Sequence, residues 1–252
     1  MGLRLIRMNK SPTPAHRWPA PLVCATAAAP PVGSVCATVW PTRSLQARSR
    51  WFDELYLWAE DFEPTPEQWS RIQLHGLEQG LAMLAREEAE HVGITLSLGT
   101  VQKFDEQIDA LLSAHALVVH RLSVMLRGSV DQVRSTYRIR AFVEYLRAQQ
   151  IPVGLRVTEA RLAMELRAFG LIQPDFAKVL APPAVKGVPW DNLAIEARVA
   201  GISEQWLIVA GLQTRSQVDC AVRAGIGFGQ GSAVRPAQVP PPPRRRRAAA
   251  AA

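Results

Sequence analysis

The sequence lacks the features of a disulfide-bonded or membrane-spanning protein. Of its 252 residues only three are cysteines, Cys24, Cys36 and Cys220, and they form no C-x-x-C pair. This number and spacing exclude a disulfide framework and a zinc knuckle and are typical of reduced thiols. No uninterrupted apolar run approaches the ~20 residues that a bilayer-spanning helix needs. We therefore expect a cytoplasmic protein without a membrane segment.

Acidic residues are absent from the first 50 residues, which contain seven Lys and Arg. The run from Arg244 to Arg247 adds four more basic residues. The formal net charge is +7, but subtracting these eleven from 29 basic residues leaves 18 basic against 22 acidic residues between them. The basicity therefore belongs to the two ends of the chain. It favours non-specific contacts with polyanions, and we expect no specific nucleic-acid partner.

Regular periodicity is also absent from both ends. Residues 1–36 are rich in Pro, Ala and Arg, and residues 239–252 are a low-complexity Pro/Arg/Ala tail. We predict that both segments are disordered. The acid-free start is similar to a transit peptide, but a disordered leader, or a start codon placed too early, is the preferred interpretation. Residues 37–238 are predicted to form one main folded domain.

The middle of the chain contains an alternation of short apolar strands and helices. A helix is predicted from Pro66, with Thr65 as its cap. Six strand-like runs follow: GITLSL, ALVVHRL, IPVGLRV, DFAKVL, QWLIVAG and GIGFGQG. One or two more strands are expected within residues 37–58. The helical stretches between them are 101–114, 130–149, 160–170, 190–200 and 214–224. This order indicates parallel βα units and favours a TIM-type (β/α)8-like barrel over an open sheet.

In such a barrel the ligand site lies at the carboxyl ends of the strands, and the segments there resemble a known family. The run WPTRSLQARSRWFDELYLW is similar to the opening of EAL-type cyclic-di-GMP phosphodiesterases up to E-A-L-x-R. ITLSLG resembles their (I/V)-x-x-N-x-S strand, and LVVHRLSVML resembles L-x-x-E-(I/V)-T-E. GLRVTEARLAMELRAFGLIQPDFAKVL is similar to D-D-F-G running into P-D-x-x-K-(I/L)-D, and VAGLQT…GIGFGQG to A-E-G-V-E-T followed by Q-G. The resemblance covers residues 37–236 in the family's order.

The resemblance implies an EAL barrel in which carboxylates and an Asn hold two Mg²⁺ or Mn²⁺ ions that activate a water. At the matching positions this chain has Asp53, Ser97, His120, Val157 with Thr158, Lys178, Ala210 and Gln230. Leu57 stands where the family's phosphate-contacting arginine is. One carboxylate remains where such metal chemistry needs several, so we expect no catalytic residue, no metal site and no cofactor. Mg or Mn would matter only if residual activity exists.

Five residues remain as candidate ligand-binding positions: Asp53, Ser97, His120, Lys178 and Gln230. Lys178 is interpreted either as a ligand contact or as an ion-pair partner of Asp53. His120 is interpreted either as a transition-metal ligand together with Asp53 or as a hydrogen-bonded filler. The alternating glycines from Gly225 to Gly231 favour a curved strand over a phosphate-cradling loop.

These losses favour a catalytically inactive EAL-like domain that binds a regulatory protein partner in bacterial cyclic-di-GMP-linked signalling. The second hypothesis is a receptor that binds cyclic di-GMP without cleaving it. An active phosphodiesterase with substituted ligands is the least favoured. The sequence identifies neither the partner nor its binding surface, and it leaves open whether the domain forms a homodimer.

Overall fold

The computed structural model describes residues 35–47, 49–59, 62–128, 137–157, 162–182 and 190–235. Eight strands in these residues form a closed barrel in which each strand pairs with the next along the chain. They are β1 (Val35–Ser44), β2 (Arg50–Ala59), β3 (Val92–Ser97), β4 (Leu122–Arg127), β5 (Val153–Arg156), β6 (Phe176–Leu180), β7 (Leu207–Ala210) and β8 (Phe228–Gln230). Pairing of β1 with β8 closes the sheet. The prediction of a TIM-like barrel is confirmed.

The first strand departs from the parallel pattern. β1 pairs antiparallel with both β2 and β8, whereas the pairs from β2 to β8 are parallel. A short connection between Ser44 and Arg50 joins β1 to β2, and a connection of this length can join only antiparallel neighbours. Val35 and Cys36 already belong to β1, so the barrel begins before the predicted boundary at residue 37. The rest of the predicted leader and the whole predicted tail lie outside the described residues.

Seven α-helices in the described part of the chain connect the strands on the outside of the barrel. They are α1 (Pro66–Ala85), α2 (Leu98–Lys103), α3 (Asp105–Ala114), α4 (Tyr137–Ala148), α5 (Leu162–Phe169), α6 (Trp190–Val199) and α7 (Arg215–Arg223). Short 3-10 helices cover Val119–Arg121, Gly170–Ile172 and Glu204–Trp206. The predicted start of α1 is confirmed, because the Thr65 hydroxyl accepts a hydrogen bond from the Gln68 amide in a capping box. Within the described ranges, no helix is long and apolar enough to cross a bilayer.

Two of the predicted elements are wrong in position. The run ALVVHRL, residues 116–122, is a turn and a 3-10 helix, and β4 starts where that run ends. The run after it, LSVMLR, is buried on both faces except at its last residue, which is what a parallel barrel strand requires. The predicted helix 101–114 is two helices that meet at Phe104. Periodicity located both segments but not the boundary between an apolar turn and an apolar strand.

Apolar side chains fill the barrel interior at the end where the parallel strands begin. Phe52, Met125, Phe176 and Ile208 form a buried cluster against which Trp51 and Phe228 pack. Glycine provides the space for one of the rings, because a Cβ on Gly154 would lie 2.2 Å from the Phe176 ring. A separate and larger core lies between the strands and the helices. This packing closes one end of the barrel and leaves polar chemistry to the carboxyl ends of the strands.

Candidate functional site at the barrel mouth

The carboxyl ends of strands β2 to β8 meet at one end of the barrel, which we call the barrel mouth. Side chains alternate along a strand, so residues two positions after an interior apolar residue also face the interior. Phe52 and Phe176 lie inside the barrel, which places Glu54 and Lys178 inside it one step nearer the mouth. The same alternation brings seven polar or aromatic residues to the mouth: Glu54, Tyr56, Thr95, Arg127, Arg156, Lys178 and Gln230.

A buried ion pair lies at the centre of the mouth. The Lys178 ammonium donates a short hydrogen bond to the Glu54 carboxylate. The two side chains are only 7% and 1% exposed, so this pair has left water almost completely. The Thr95 hydroxyl donates to the other carboxylate oxygen of Glu54 at 3.3 Å. Glu54 is therefore held by a cation and a hydroxyl from two other strands.

Burial and neighbouring charges act in opposite directions on this pair. Burial raises the pKa of Glu54, but the charges of Lys178 and Arg156 and hydrogen bonds from Lys178 and Gln230 outweigh it, so this pKa is lowered. Burial lowers the pKa of Lys178; the charge of Glu54 opposes this effect and the charge of Arg156 adds to it, so this pKa is also lowered. Glu54 is consequently ionised at neutral pH, whereas Lys178 releases its proton more readily than an ordinary lysine.

Gln230 lies at the predicted strand end but is already hydrogen-bonded. Its amide nitrogen donates to the Thr42 hydroxyl at 2.5 Å, and the side chain is buried. The same amide contributes a hydrogen bond to Glu54. Lys178 and Gln230, the two residues expected to contact a ligand, therefore both bond to Glu54 inside the barrel, and Gln230 also bonds to Thr42. A ligand would have to displace internal partners to reach either of them.

The prediction that Asp53 faces the mouth and pairs with Lys178 is wrong. Asp53 has the opposite parity from Glu54 on β2, and its carboxylate accepts a hydrogen bond from the Arg50 guanidinium at 2.9 Å. A shift of one residue along a strand moves a side chain to the other face of the sheet. The carboxylate of the mouth is therefore Glu54, and alternation from Phe52 is the signal that identifies it.

The positions predicted for His120 and Ser97 also need correction. His120 is exposed in the 3-10 helix before β4, and the neighbouring Arg121 bonds the carbonyls of Ala89 and Glu90, so His120 lies at the amino end of the strand. Ser97 does end β3, but its hydroxyl caps α2 by accepting from the Thr100 amide. His120 therefore cannot share a metal with a residue in the mouth. The β3 side chain that reaches Glu54 is Thr95.

Two arginines of the mouth were not identified from the sequence. Arg127 and Arg156 are the last residues of β4 and β5, and both line the cleft described below. The Arg156 guanidinium lies 5.5 Å from the centre of the Tyr56 ring, in a cation–π contact. Val157, predicted for the mouth, instead packs in the outer core, and Thr158 is outside the described residues. Alternate side chains of β5 face the barrel interior, and counting them along the strand would have identified Arg156.

A pair of divalent cations does not fit this set of donors. Mg²⁺ and Mn²⁺ need several anionic oxygen ligands, and the described residues of the mouth offer one carboxylate, which already binds Lys178. Arg156 adds a second positive charge close enough to lower the pKa of both partners. No group of three or more His, Cys, Asp and Glu suited to a metal ion occurs in the described ranges. The described residues of the mouth therefore offer more cationic than anionic groups to a ligand.

A cleft opens beside the ion pair where β2 and β3 separate. These strands pair only at Asp53–Val92 and Glu54–Gly93, although both continue toward the mouth. The resulting cleft has a volume of about 70 Å³. Polar and aromatic residues of four strands line it, namely Tyr56, Thr95, Arg127 and Arg156. The remaining lining residues belong to β2, β3 and α1: Leu55, Leu57, Trp69, Gln73, Gly76 and Ile94.

The barrel is similar to solved EAL domains. The Vibrio cholerae LapD S helix-GGDEF-EAL protein bound to c-di-GMP matches with 16% identity and a TM-score of 0.63, over 78% of this chain and 52% of that one. The EAL domain of Mycobacterium smegmatis DcpA matches with 14% identity and a TM-score of 0.63, over 81% and 93% of the two chains. The Xanthomonas citri FimX EAL domain in complex with c-diGMP matches with 15% identity and a TM-score of 0.62, over 81% and 88%.

These similarities lie in structure rather than in sequence. No family model and no curated protein matches the sequence. The described chain also spans about half the length of the LapD protein, which has further segments besides its EAL domain. At this level of identity the comparison concerns the fold. The chain has the barrel fold of EAL domains.

Proposed function

We propose that this chain is a non-catalytic EAL-type barrel that regulates a protein partner in cyclic-di-GMP-linked signalling. The observation that supports this proposal most directly is the charge of the mouth. Its one described carboxylate, Glu54, is neutralised by Lys178, and Arg127 and Arg156 lie nearby. A water activated by two metal ions requires an excess of anionic ligands, and the described mouth has an excess of cations instead.

The connection with cyclic di-GMP rests on the structural neighbours. The LapD and FimX proteins are both solved with this dinucleotide bound. A barrel of the same fold without a metal site retains an outer surface of helices and loops on which a partner can bind. We therefore propose that the protein partner binds the outer surface of the barrel and that the barrel has no catalytic centre.

The first experiment tests for hydrolysis. The full chain is incubated with cyclic di-GMP and Mg²⁺ or Mn²⁺, and linear dinucleotide is quantified beside an active EAL phosphodiesterase. We expect release at the rate of buffer alone. Release above that rate, abolished by Glu54→Gln, would overturn the proposal, because it would show that Glu54 still serves metal-dependent chemistry.

A second experiment tests whether regulation needs the mouth. A strain that lacks the gene is complemented with the double variant Glu54→Leu and Lys178→Met, which removes the ion pair without leaving one charge buried. We expect the regulatory phenotype to be restored. Loss of the phenotype with a variant shown to be folded would assign the function to the mouth and count against a partner on the outer surface.

A second candidate function is a receptor that binds cyclic di-GMP without cleaving it. The two arginines of the cleft favour it, while the internal partners of Lys178 and Gln230 oppose it. Binding to the native state alone stabilises a protein by about 2.7 kcal/mol at a hundredfold excess over Kd. A receptor should therefore unfold at a higher temperature in the dinucleotide, and an unchanged transition at millimolar ligand would exclude it.

A further inference from the structure

The cleft between β2 and β3 is lined by two guanidinium groups, and its described lining contains no carboxylate. Neither guanidinium of Arg127 and Arg156 has a carboxylate within ion-pair distance among the described residues. The nearest carboxylate of the mouth, Glu54, is bound by Lys178. Two like charges that line one small cleft repel each other, and an anion between them would relieve this repulsion.

We propose that this cleft is a metal-independent site for a single phosphoryl group, held by the guanidinium groups of Arg127 and Arg156. Guanidinium groups bind phosphate oxygens through paired N–H donors, which gives both affinity and orientation. The site differs from a two-metal centre in that positive charge comes from side chains of the chain itself. The inference rests on the proposed function in one respect, namely that the mouth works without metal.

The surroundings of Arg156 and of Gln73 prepare these side chains for this role. The Arg156 guanidinium stacks on the Tyr56 ring, which in turn stacks on Trp58 with ring centres 6.1 Å apart. Stacking fixes the plane of the guanidinium and lowers the entropy lost when a ligand binds. Gln73 is fixed as well, because its side-chain oxygen accepts from the Ser97 amide and the Thr100 hydroxyl. Its amide nitrogen remains as a neutral donor at the wall of the cleft.

The size of the cleft selects the ligand. A volume of about 70 Å³ is room for a handful of waters, at ~10–15 Å³ for each. Sites for whole drug-sized ligands are larger, at ~300–1,000 Å³. A phosphoryl group fits the smaller space, while the remainder of an ester or a dinucleotide would extend outside it. The half-buried Trp69 at the rim offers an apolar contact to that remainder.

The test is calorimetric titration of the full chain with inorganic phosphate, at fixed ionic strength and with EDTA present. The variants are Arg127→Gln and Arg156→Gln, and the matched control is Arg167→Gln, which removes the same charge from an exposed position near the carboxyl end of α5. Each cleft variant should weaken binding at least ~10-fold, the effect of losing a hydrogen bond to a charged group. The control should bind like the parent. Arg127 is exposed, so its removal should not impair folding.

Three results would overturn the proposal: no phosphate binding by the folded parent chain, equal weakening by the Arg167→Gln control, or binding that appears only in a titration without EDTA. Competition with cyclic di-GMP distinguishes the sources of the phosphoryl group. If the dinucleotide displaces bound phosphate, the site takes a phosphoryl group of the dinucleotide. If phosphate stays bound, the site takes a free phosphate ester. If the chain does not bind phosphate and also does not hydrolyse cyclic di-GMP, the phosphoryl site is refuted but the proposed function is not. Hydrolysis above the buffer rate would refute the proposed function whether or not phosphate binds.

Discussion

Removing Glu54 while Lys178 stays should produce a pH-dependent loss of stability. The Glu54→Leu variant leaves an ammonium buried inside the barrel with Arg156 as a like-charged neighbour. Breaking a buried pair in this way typically costs about 3–5 kcal/mol. An upper limit follows from proton release, because neutralising a lysine with an unfolded-state pKa near 10.4 costs about 5 kcal/mol at pH 7. If burying the unpaired ammonium costs more than releasing its proton, Lys178 becomes neutral and the penalty for the unpaired charge stops growing.

The sign of the pH dependence follows from the direction of the shift. Burial and Arg156 already lower the pKa of Lys178, and loss of Glu54 removes the charge that opposes them. Between the lowered folded pKa and the unfolded pKa the unfolded chain binds one proton more than the folded chain. The unfolding free energy of Glu54→Leu should therefore rise with pH by about 1.4 kcal/mol per unit toward pH 10. The deficit relative to the parent should shrink only between the folded pKa of Lys178 in the variant and its folded pKa in the parent, because above the latter both chains gain stability with pH alike.

The partner variant should lose less. In Lys178→Met the carboxylate of Glu54 keeps the Thr95 hydroxyl and the charge of Arg156. Its cost at pH 7 is also limited, since protonating a glutamate with an unfolded-state pKa near 4.3 costs about 4 kcal/mol. The double variant Glu54→Leu with Lys178→Met should recover most of the loss, because an apolar pair of similar volume can replace a buried ion pair.

Urea unfolding followed by tryptophan fluorescence measures these differences, and Trp51 reports on the fold because it packs against the interior cluster at Phe176. The matched control is Glu144→Leu, which breaks an exposed pair with Arg140 whose side chains are 64% and 70% exposed. That control should change the unfolding free energy by no more than about 1 kcal/mol. The reasoning is refuted if Glu54→Leu costs no more than the control, or if the unfolding free energy of Glu54→Leu does not rise with pH between pH 7 and 10.

Two further predictions concern the scaffold. Gly154→Ala should destabilise the barrel by about 1–3 kcal/mol, since its Cβ would lie 2.2 Å from the Phe176 ring, whereas Gly99→Ala, with nothing nearer than the Ser97 hydroxyl at 3.9 Å, should be neutral or stabilising. Thr65→Ala should cost about 1 kcal/mol by removing the capping box of α1, and Thr65→Ser should retain it. Both are measured by urea unfolding, and equal stability of Gly154→Ala and Gly99→Ala, or of Thr65→Ala and Thr65→Ser, would contradict them.

The barrel could be predicted because its signal is repeated along the chain. Six apolar runs separated by helices constrain the topology even when one of them is misplaced, as the run around His120 was. The antiparallel direction of β1 could also have been inferred, since the connection from Ser44 to Arg50 is too short for a crossover. Strand order and sheet closure therefore follow from a pattern that tolerates local error.

The site could be predicted only in part, because a site depends on single residues. Gln230 ends β8 as predicted and Lys178 faces the mouth from the middle of β6, but Asp53 was chosen where Glu54 faces the mouth. The family resemblance aligned motifs without regard to parity, and a shift of one residue reverses the face. Counting alternate residues from Phe52 or Phe176 would have corrected it. No pattern in the sequence indicates that β2 and β3 separate beyond Glu54, so the cleft itself required the structure.

The stability of this barrel does not explain the arginines of the mouth. The aromatic cluster around Phe176 and the outer core close the barrel independently of the mouth, and the Glu54–Lys178 pair is already neutral. Arg127 is exposed and has no carboxylate partner among the described residues, so no described ion pair gives it a stabilising role. Charged side chains without an internal partner are typical of binding sites. The proposed anion site therefore rests on the charge of the mouth and not on the similarity of the fold to EAL domains.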